Sequence, residues 1–217
     1  MKKIISFSLW GTNTLYTIGA VKNSQDREQY YPDWICRFYV DKTVPDQIIK
    51  ELDNGHNEII YKPDSFDVLG MFWRFEAMYD DPEIERFIVR DSDSRFTDRE
   101  CSLVKEWEEQ GKPFHVIRDN RSHNTHILGG MWGSKAGIID NMQIKIRTFL
   151  NRVNPVNPDP LRKYHGVDQF FLSQYVWPII KDNHTAHILK GFEGLRYTQN
   201  DIEIPEPENG HYVGMVC

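Results

Sequence analysis

Residues 86–95 read RFIVRDSDSR, an apolar strand that runs directly into a pair of aspartates. In open α/β sheets, ligands bind outside the carboxyl ends of the strands. Side chains two residues apart on an extended chain point the same way, so Asp91 and Asp93 can converge on one hard cation. Two carboxylates leave coordination positions open, which suits Mn²⁺ or Mg²⁺ bridging to a diphosphate, and the flanking Arg90 and Arg95 favour an anionic ligand. Alternatively, the two aspartates only end the strand and cap the next helix, and these ten residues leave both interpretations open.

On both sides of this stretch, apolar strands alternate with short helices. The spacing of apolar residues predicts strands over residues 3–10, 34–40, 58–61, 86–90, 114–117 and 126–132. Helical spacing predicts helices over residues 14–29, 44–52, 97–110, 140–153 and 167–180, and one that follows Asp67. Residues 154–160, NPVNPDP, cannot be helical. The alternation predicts an α/β fold in which a mostly parallel sheet has helices on both faces, with residues 212–217 lying across the body.

The composition excludes several classes of protein. The chain has 217 residues, of which 40% are hydrophobic and 27% are charged, enough for one globular domain with a full core. The net charge of -6 leaves no broad positive surface for nucleic acid. No apolar run approaches the ~20 residues of a membrane span, and polar residues interrupt the apolar start before it reaches the length of a signal peptide. With three widely separated cysteines that suggest a reducing compartment, we expect a soluble, cytoplasmic protein with no nucleic-acid or membrane partner.

Four stretches together carry a resemblance to a known family. They are FWRFEAMYDDPEIERFIVRDSDSRFTDRE at residues 72–100, HVIRDN at 115–120, GGMWG at 129–133 and GVDQFFL at 166–172. In this order they resemble nucleotide-sugar-dependent glycosyltransferases of the GT-A fold, most closely the glycosyltransferase domain of large algal (chlorella) viruses. The resemblance implies a Rossmann-like sheet with a small antiparallel element near the C-terminal half. It also implies a single domain, with a nucleotide-binding half at residues 1–96 and a sugar and acceptor half at 97–217.

The resemblance assigns binding roles to residues along the chain. Asp91 and Asp93 match the metal pair, which would hold Mn²⁺ or Mg²⁺, and Arg74 matches the arginine that binds the donor. The third metal ligand of the family is a histidine, for which His211 in HYVG fits the H-x-x-G pattern and His187 is the competing choice. The other residues that match the donor-binding part are Ser6, Leu9, Trp10, Gly11, Tyr16, Ser92, Gly129 and Gly130.

The resemblance also implies three catalytic residues. Asp168 and Gln169 match an Asp-Gln pair near the reacting face of the sugar, where Asp168 would steady developing positive charge. Asp119 matches an acid that contacts hydroxyls of the donor sugar. A covalent intermediate on Asp168 and a same-face return through the diphosphate are both compatible with the sequence. Trp132, which follows two glycines, has two open interpretations, stacking on a sugar face or packing in the core.

The activity implied is that of a metal-dependent glycosyltransferase. It would move a hexose-type sugar from a nucleotide-sugar donor, a UDP-sugar, to a glycan or glycoprotein acceptor, with retention of anomeric configuration implied by the resemblance only. The alternatives are a noncatalytic carbohydrate-binding domain on the same fold and, less favoured, a metal-dependent phosphohydrolase. If the gene is viral, the expected location is the host cytoplasm, and the full gene product has room for further domains.

Overall fold

The computed structural model describes residues 1–63, 67–153, 166–199 and 201–217. Its strands are β1 (Lys2–Leu9), β2 (Ile35–Val40), β3 (Glu58–Tyr61), β4 (Ile84–Val89), β5 (Phe114–Arg118), β6 (Trp132–Lys135), β7 (Thr185–Leu189) and β8 (Ile202–Ile204). They form one sheet in the order β3-β2-β1-β4-β6-β5-β7-β8. Strand β6 runs antiparallel to β4 and β5, and the other paired strands are parallel. The predicted fold class, a mostly parallel sheet with a small antiparallel element, is confirmed.

Helices connect these strands. They are α1 (Thr14–Tyr30), α2 (Asp46–Leu52), a 3-10 helix (Asp67–Met78), α3 (Asp98–Gln110), α4 (Met142–Arg152), α5 (Val167–Phe171) and α6 (Trp177–Ile180). Helices α1 and α3 begin where the side chains of Asn13 and Thr97 accept hydrogen bonds from backbone N–H groups of the first turn. Helix α3 ends at Gly111, whose φ of 68° lies in the left-handed region that glycine adopts without strain. These polar and glycine positions explain why the helix boundaries are close to those predicted.

An apolar layer covers each face of the sheet, because neighbouring residues of a strand point to opposite sides. Ile4 and Phe87 belong to the cluster on one face, whereas Ile5 and Ile88 belong to the cluster on the other. The first cluster also contains the rings of Phe72, Phe75, Trp132, Phe149 and Phe171. Strands β1 and β4 are therefore buried on both sides, and the residues that follow them are held on rigid backbone.

One predicted strand is wrong. Residues 126–131 form turns, and pairing with β4 and β5 starts only at Trp132. The Trp132 ring is fully buried and packs edge-on against Phe75 and Phe87, with ring centroids 5.6 Å and 5.4 Å away. Of its two interpretations, packing in the core is correct and stacking on a sugar is not.

The remaining differences are smaller. The predicted helix after Asp67 is a 3-10 helix, and the helix predicted over residues 167–180 contains a π-helical segment, Leu172–Val176. The short strands β7 and β8 were not predicted. Residues 154–160, predicted to be nonhelical, lie outside the described residues. Among the helices that the structure describes, none combines the length and the apolar character needed to cross a membrane.

Candidate active site

A cavity of about 570 Å³ opens at the carboxyl ends of β1 and β4. The segment that precedes β6 lies at the same edge of the sheet, because β6 is antiparallel to β4 and therefore begins beside the carboxyl end of β4. Twelve of the residues to which binding or catalytic roles were assigned line this cavity. They are Leu9, Trp10, Gly11, Tyr16, Arg74, Asp91, Ser92, Asp93, Gly129, Gly130, Asp168 and Gln169. Ser6, Asp119 and His211 do not line it.

Arg74 links the two sides of the cavity. Its guanidinium is buried, and Nη2 donates to Asp168 Oδ2 at 2.8 Å while Nη1 donates to Asp91 Oδ1. Burial works against the charged guanidinium, but the two carboxylates outweigh it and raise the pKa of Arg74. The backbone of Arg74 is fixed from β1, since Ser6 Oγ donates to its carbonyl at 2.7 Å and its N–H donates to Ser8 Oγ at 2.9 Å. Ser6 therefore supports the backbone of Arg74 and does not line the cavity. The expectation that Ser6 contacts a ligand is corrected.

The acidic residues of the cavity differ in exposure. The side chain of Asp91 is 47% exposed, whereas that of Asp168 is almost fully buried. Burial raises the pKa of Asp168 despite its pairing with Arg74. Burial also raises the pKa of Asp93, and the neighbouring charge of Asp91 adds to this effect. The pair at residues 91 and 93 is therefore a site of concentrated negative charge that a cation would relieve.

Gly129 and Gly130 lie directly against these carboxylates. A Cβ atom on Gly129 would come within 2.0 Å of Asp168 Oδ2 and 2.7 Å of Arg74 Nη2. A Cβ atom on Gly130 would come within 2.0 Å of Asp91 Oδ2. The two glycines were predicted to belong to the donor-binding part, and the lack of a side chain lets their backbone approach the protein's own acidic groups.

The charges that line the cavity fit a divalent cation. Asp91, Asp93 and Asp168 face a single lining guanidinium, so the described lining residues carry an excess of two negative charges. Hard carboxylate oxygens are the ligands that Mg²⁺ and Mn²⁺ prefer. Among the described residues, no group of three or more metal-binding side chains is present, so two carboxylates would leave the other coordination positions to phosphate or water.

The two arginines that flank the acidic pair serve the fold. Arg90 is buried and donates through Nε to Glu100 Oε1 at 2.7 Å. Arg95 donates to the carbonyls of Gly19 and Ser92, at 2.7 Å and 2.8 Å. Neither lines the cavity, so the expectation that they favour an anionic ligand there is wrong.

Asp119 is a structural acid in this fold. Its side chain is fully buried, Arg99 binds both of its carboxylate oxygens, and the N–H of Val213 donates to Oδ2 at 2.9 Å. Arg99 also donates to the carbonyl of Pro205 at 2.6 Å. Its predicted contact with a sugar hydroxyl is corrected, because Asp119 instead fastens the last residues of the chain to the body.

Those last residues, 212–217, lie across the body as predicted. Cys217 N–H donates to the carbonyl of Asp93 at 2.9 Å, and Val216 forms an isolated antiparallel bridge with Ser94. Gly214 and Val216 form part of the cavity lining. The segment therefore forms one wall beside the acidic pair.

Neither candidate histidine joins the acidic pair. His211 is exposed and lies outside the cavity lining. His187 is fully buried in β7, where its Nδ1 is 2.9 Å from Nε2 of His115. The structure therefore does not support a third metal ligand from either position.

Sequence reasoning missed several lining residues, among them Asn13, Met71, His123, Leu128, Gly214 and Val216. Asn13 carried a signal, since an asparagine directly before an amphipathic segment is a typical helix cap. His123 carried none, because only the tertiary fold brings its loop to the cavity. Its pKa is lowered to about 4 by burial, so the imidazole is neutral at physiological pH.

The fold and the position of the cavity define the class of structure, a GT-A-type α/β fold with its cavity at the carboxyl ends of the central strands. Among similar solved structures is a glycosyltransferase involved in glycosylation of the major capsid of PBCV-1, a chlorella virus, with a TM-score of 0.52. It is 14% identical, over 87% of this chain and 82% of that chain. Another is a 4-diphosphocytidyl-2C-methyl-D-erythritol synthase from Anaerococcus prevotii, with a TM-score of 0.51 and 9% identity over 99% and 93% of the two chains.

These similarities confirm the resemblance to the viral glycosyltransferase at the level of the fold. No family model matches the sequence, and no curated protein matches it.

Proposed function

We propose that this protein is a divalent-metal-dependent glycosyltransferase. It moves a hexose-type sugar from a nucleotide-sugar donor, a UDP-sugar, to a glycan acceptor, with retention of configuration at the anomeric carbon. The observation that carries the proposal is the set of three aspartates around one buried arginine, in a cavity at the strand ends of a GT-A-type sheet. A nucleoside diphosphate is itself anionic, so it needs a cation to enter a cavity that already has excess negative charge.

Asp91 and Asp93 are the residues that would hold Mn²⁺ or Mg²⁺. Such a cation acts as a Lewis acid that stabilises the departing diphosphate. The protein's own contribution is to present both carboxylates on rigid backbone after β4, with the Asp91 carboxylate oriented by Arg74 and packed against Gly130. Arg74 itself keeps a positive charge beside the site, because its two ion pairs stabilise the charged form.

Asp168 is the residue that would act on the sugar. Glycosyl transfer passes through an oxocarbenium-like state, in which positive charge develops at the anomeric carbon. A carboxylate held by Arg74 and by the N–H of Gln169, at 2.9 Å, has little freedom to move away from that charge. Trp10 and Tyr16 supply ring surfaces on the β1 side of the cavity, where a nucleobase can be accommodated.

Titration calorimetry with UDP tests this proposal. We expect measurable binding heat with Mn²⁺ and at least tenfold weaker binding in EDTA, because the excess carboxylate charge is then unscreened. Asp93→Asn should weaken the Mn²⁺-dependent binding by at least about tenfold. Asp140→Asn, the same charge change at an exposed position, is the matched control and should have no effect. Negligible heats in both conditions would rule the proposal out.

The second candidate is a noncatalytic carbohydrate-binding domain. It is favoured by one observation, that the described residues offer the acidic pair no third metal ligand. This candidate predicts sugar binding that survives EDTA and no turnover with a panel of nucleotide sugars. Metal-dependent release of the nucleoside diphosphate from any donor in the panel distinguishes the glycosyltransferase from it.

A further inference from the structure

The cavity wall around residues 119–129 contains one polar side chain whose role is unassigned. Asp119 cannot reach into the cavity, because Arg99 and the N–H of Val213 occupy its carboxylate. The backbone N–H of Asp119 donates to Nδ1 of His123 at 3.1 Å, and His123 lines the cavity. The fold thus places an imidazole on the wall where an acid was expected.

The orientation of the His123 ring is fixed on two sides. The hydrogen bond from Asp119 N–H holds the Nδ1 edge, and the ring packs edge-on against Tyr212 with centroids 5.4 Å apart. Because Nδ1 accepts a hydrogen bond, the neutral ring carries its proton on Nε2. Among the described residues, no group forms a hydrogen bond with Nε2, although the residue is only 7% exposed. Nε2 is not one of the fully buried atoms that lack a partner, so its N–H is a donor that stays accessible to a ligand in the cavity that His123 lines.

We propose that Nε2–H of His123 donates a hydrogen bond to a hydroxyl group of a sugar bound in the cavity. This inference rests on the proposed function, since it supposes that a sugar is transferred there. The same wall contributes Gly129, which packs against Asp168, so the hydroxyl belongs to the sugar that faces Asp168. His123 is then a positioning and specificity residue, and Asp119 acts on the sugar only through it.

The neutral character of the donor supports a hydroxyl as its partner. A phosphate is bound best by a positively charged donor, and the buried imidazole of His123 stays uncharged. A hydroxyl oxygen needs only one neutral N–H donor, which Nε2 can supply. A hydrogen-bond donor of fixed direction discriminates strongly between sugars that have a hydroxyl at one position and those that lack it.

Two substitutions separate the two ring nitrogens. In His123→Asn the amide lies at the position of Nδ1, so the bond from Asp119 N–H can be kept while the Nε2 donor is lost. In His123→Gln the amide nitrogen reaches the position of Nε2, so the donor can be kept. With Mn²⁺, the wild-type protein is first titrated with UDP-glucose, UDP-galactose and GDP-mannose, and the tightest donor is compared with its nucleoside diphosphate.

We expect His123→Asn to weaken nucleotide-sugar binding by about three- to tenfold and to leave nucleoside diphosphate binding unchanged, since one neutral hydrogen bond is lost. His123→Gln should restore the affinity to within about twofold.

Three results would overturn it: equal weakening for the diphosphate and the nucleotide sugar, equal effects of both substitutions, or no effect of His123→Asn. The first two would mean that His123 only supports the fold. A wild-type protein that binds no nucleotide sugar would overturn the proposed function together with this one, whereas normal donor binding by unaffected variants would overturn this one alone.

Discussion

Gly130 has no side chain, and this leaves room for the carboxylate of Asp91. In Gly130→Ala the new methyl group would lie 2.0 Å from Asp91 Oδ2 and 3.0 Å from the Asp91 N atom, so the carboxylate must move away. We expect Mn²⁺-dependent UDP binding to fall by at least about tenfold, and overpacking of this kind to cost about 1–3 kcal/mol of stability. Calorimetry and thermal unfolding measure the two effects.

Gly194→Ala is the control for this substitution. It makes the same chemical change on the short 3-10 helix Glu193–Leu195, where the nearest atom to a new Cβ is on the Phe192 ring at 3.3 Å. We expect UDP binding by Gly194→Ala to equal that of the wild type. Unchanged UDP binding by Gly130→Ala would show that the position of Asp91 does not matter for the nucleotide.

At the level of residues, the sequence predicts what local backbone controls. Asp91 and Asp93 follow a buried strand, so their place at the strand end follows from strand geometry alone. Asp119 also follows a strand, β5, but its direction depends on Arg99 of α3 and on the last residues of the chain. Asp119 is turned away from the cavity by these long-range contacts, which no short motif encodes, whereas His123 of the same loop lines it.

Among the elements, β5 and β7 share a buried histidine pair. His115 and His187 are both fully buried, and each has a pKa lowered chiefly by burial. Glu106 lies 3.2 Å from Nε2 of His187, which Arg99 and Asp119 also influence, and the Trp107 ring, Arg90 and His184 lie near His115. Glu106 opposes the lowering at His187 but does not reverse it.

This pair should make the protein less stable in mild acid. Both folded-state pKa values lie below that of an unfolded histidine, which is about 6.5, so the unfolded chain binds more protons below that pH. Stability is full well above pH 6.5 and falls as the pH drops toward the folded-state pKa values. A histidine whose pKa is lowered as far as that of His115 costs up to about 1.4 kcal/mol of stability between about pH 7.5 and pH 5.5. Urea unfolding at both pH values measures this loss.

The variants His115→Gln and His56→Gln test the source of the loss. His115→Gln removes one buried titrating group and should reduce the pH-dependent difference by up to about 1.4 kcal/mol. His56 is exposed, so its replacement should leave the difference unchanged. An equal pH dependence in wild type and His115→Gln would mean that other groups cause it.

The elements also show where periodicity fails as a predictor. Residues 126–132 read HILGGMW, an apolar run that fits a strand. Its two glycines instead pack on Asp91 and Asp168, which requires a turn, and the strand begins only at Trp132. The apolar residues of such a run can therefore be buried in the core without sheet pairing, as Ile127 is.

At the scale of the whole molecule, the aromatic and the acidic residues lie in different places. The aromatic residues largely fill the apolar clusters on the two faces of the sheet, as the buried rings of Phe72, Phe75 and Trp132 show on one face, while Trp10 and Tyr16 lie at the cavity. The acidic residues are spread over many ion pairs, but the cavity concentrates three of them around Arg74. Net charge alone reveals neither arrangement, because it does not say which carboxylates already have a partner.

The pairing of strands and the packing of rings across the sheet predict that residues 1–96 and 97–217 unfold together. Strand β4, from residues 1–96, pairs with β6, from residues 97–217, and the Phe87 ring packs on Trp132 across that pairing. Phe87→Ala removes a fully buried ring and should cost about 3–5 kcal/mol. Native-state hydrogen exchange should show the same loss in β2 as in β7, because the sheet joins the two strands through β4, which contributes Phe87 to one apolar cluster and Ile88 to the other. Ile144→Ala, at a half-exposed position on α4, is the control and should change the free energy of exchange in β2 and in β7 by less than about 0.5 kcal/mol. A loss confined to one of the two strands would mean that residues 1–96 and 97–217 are separate folding units.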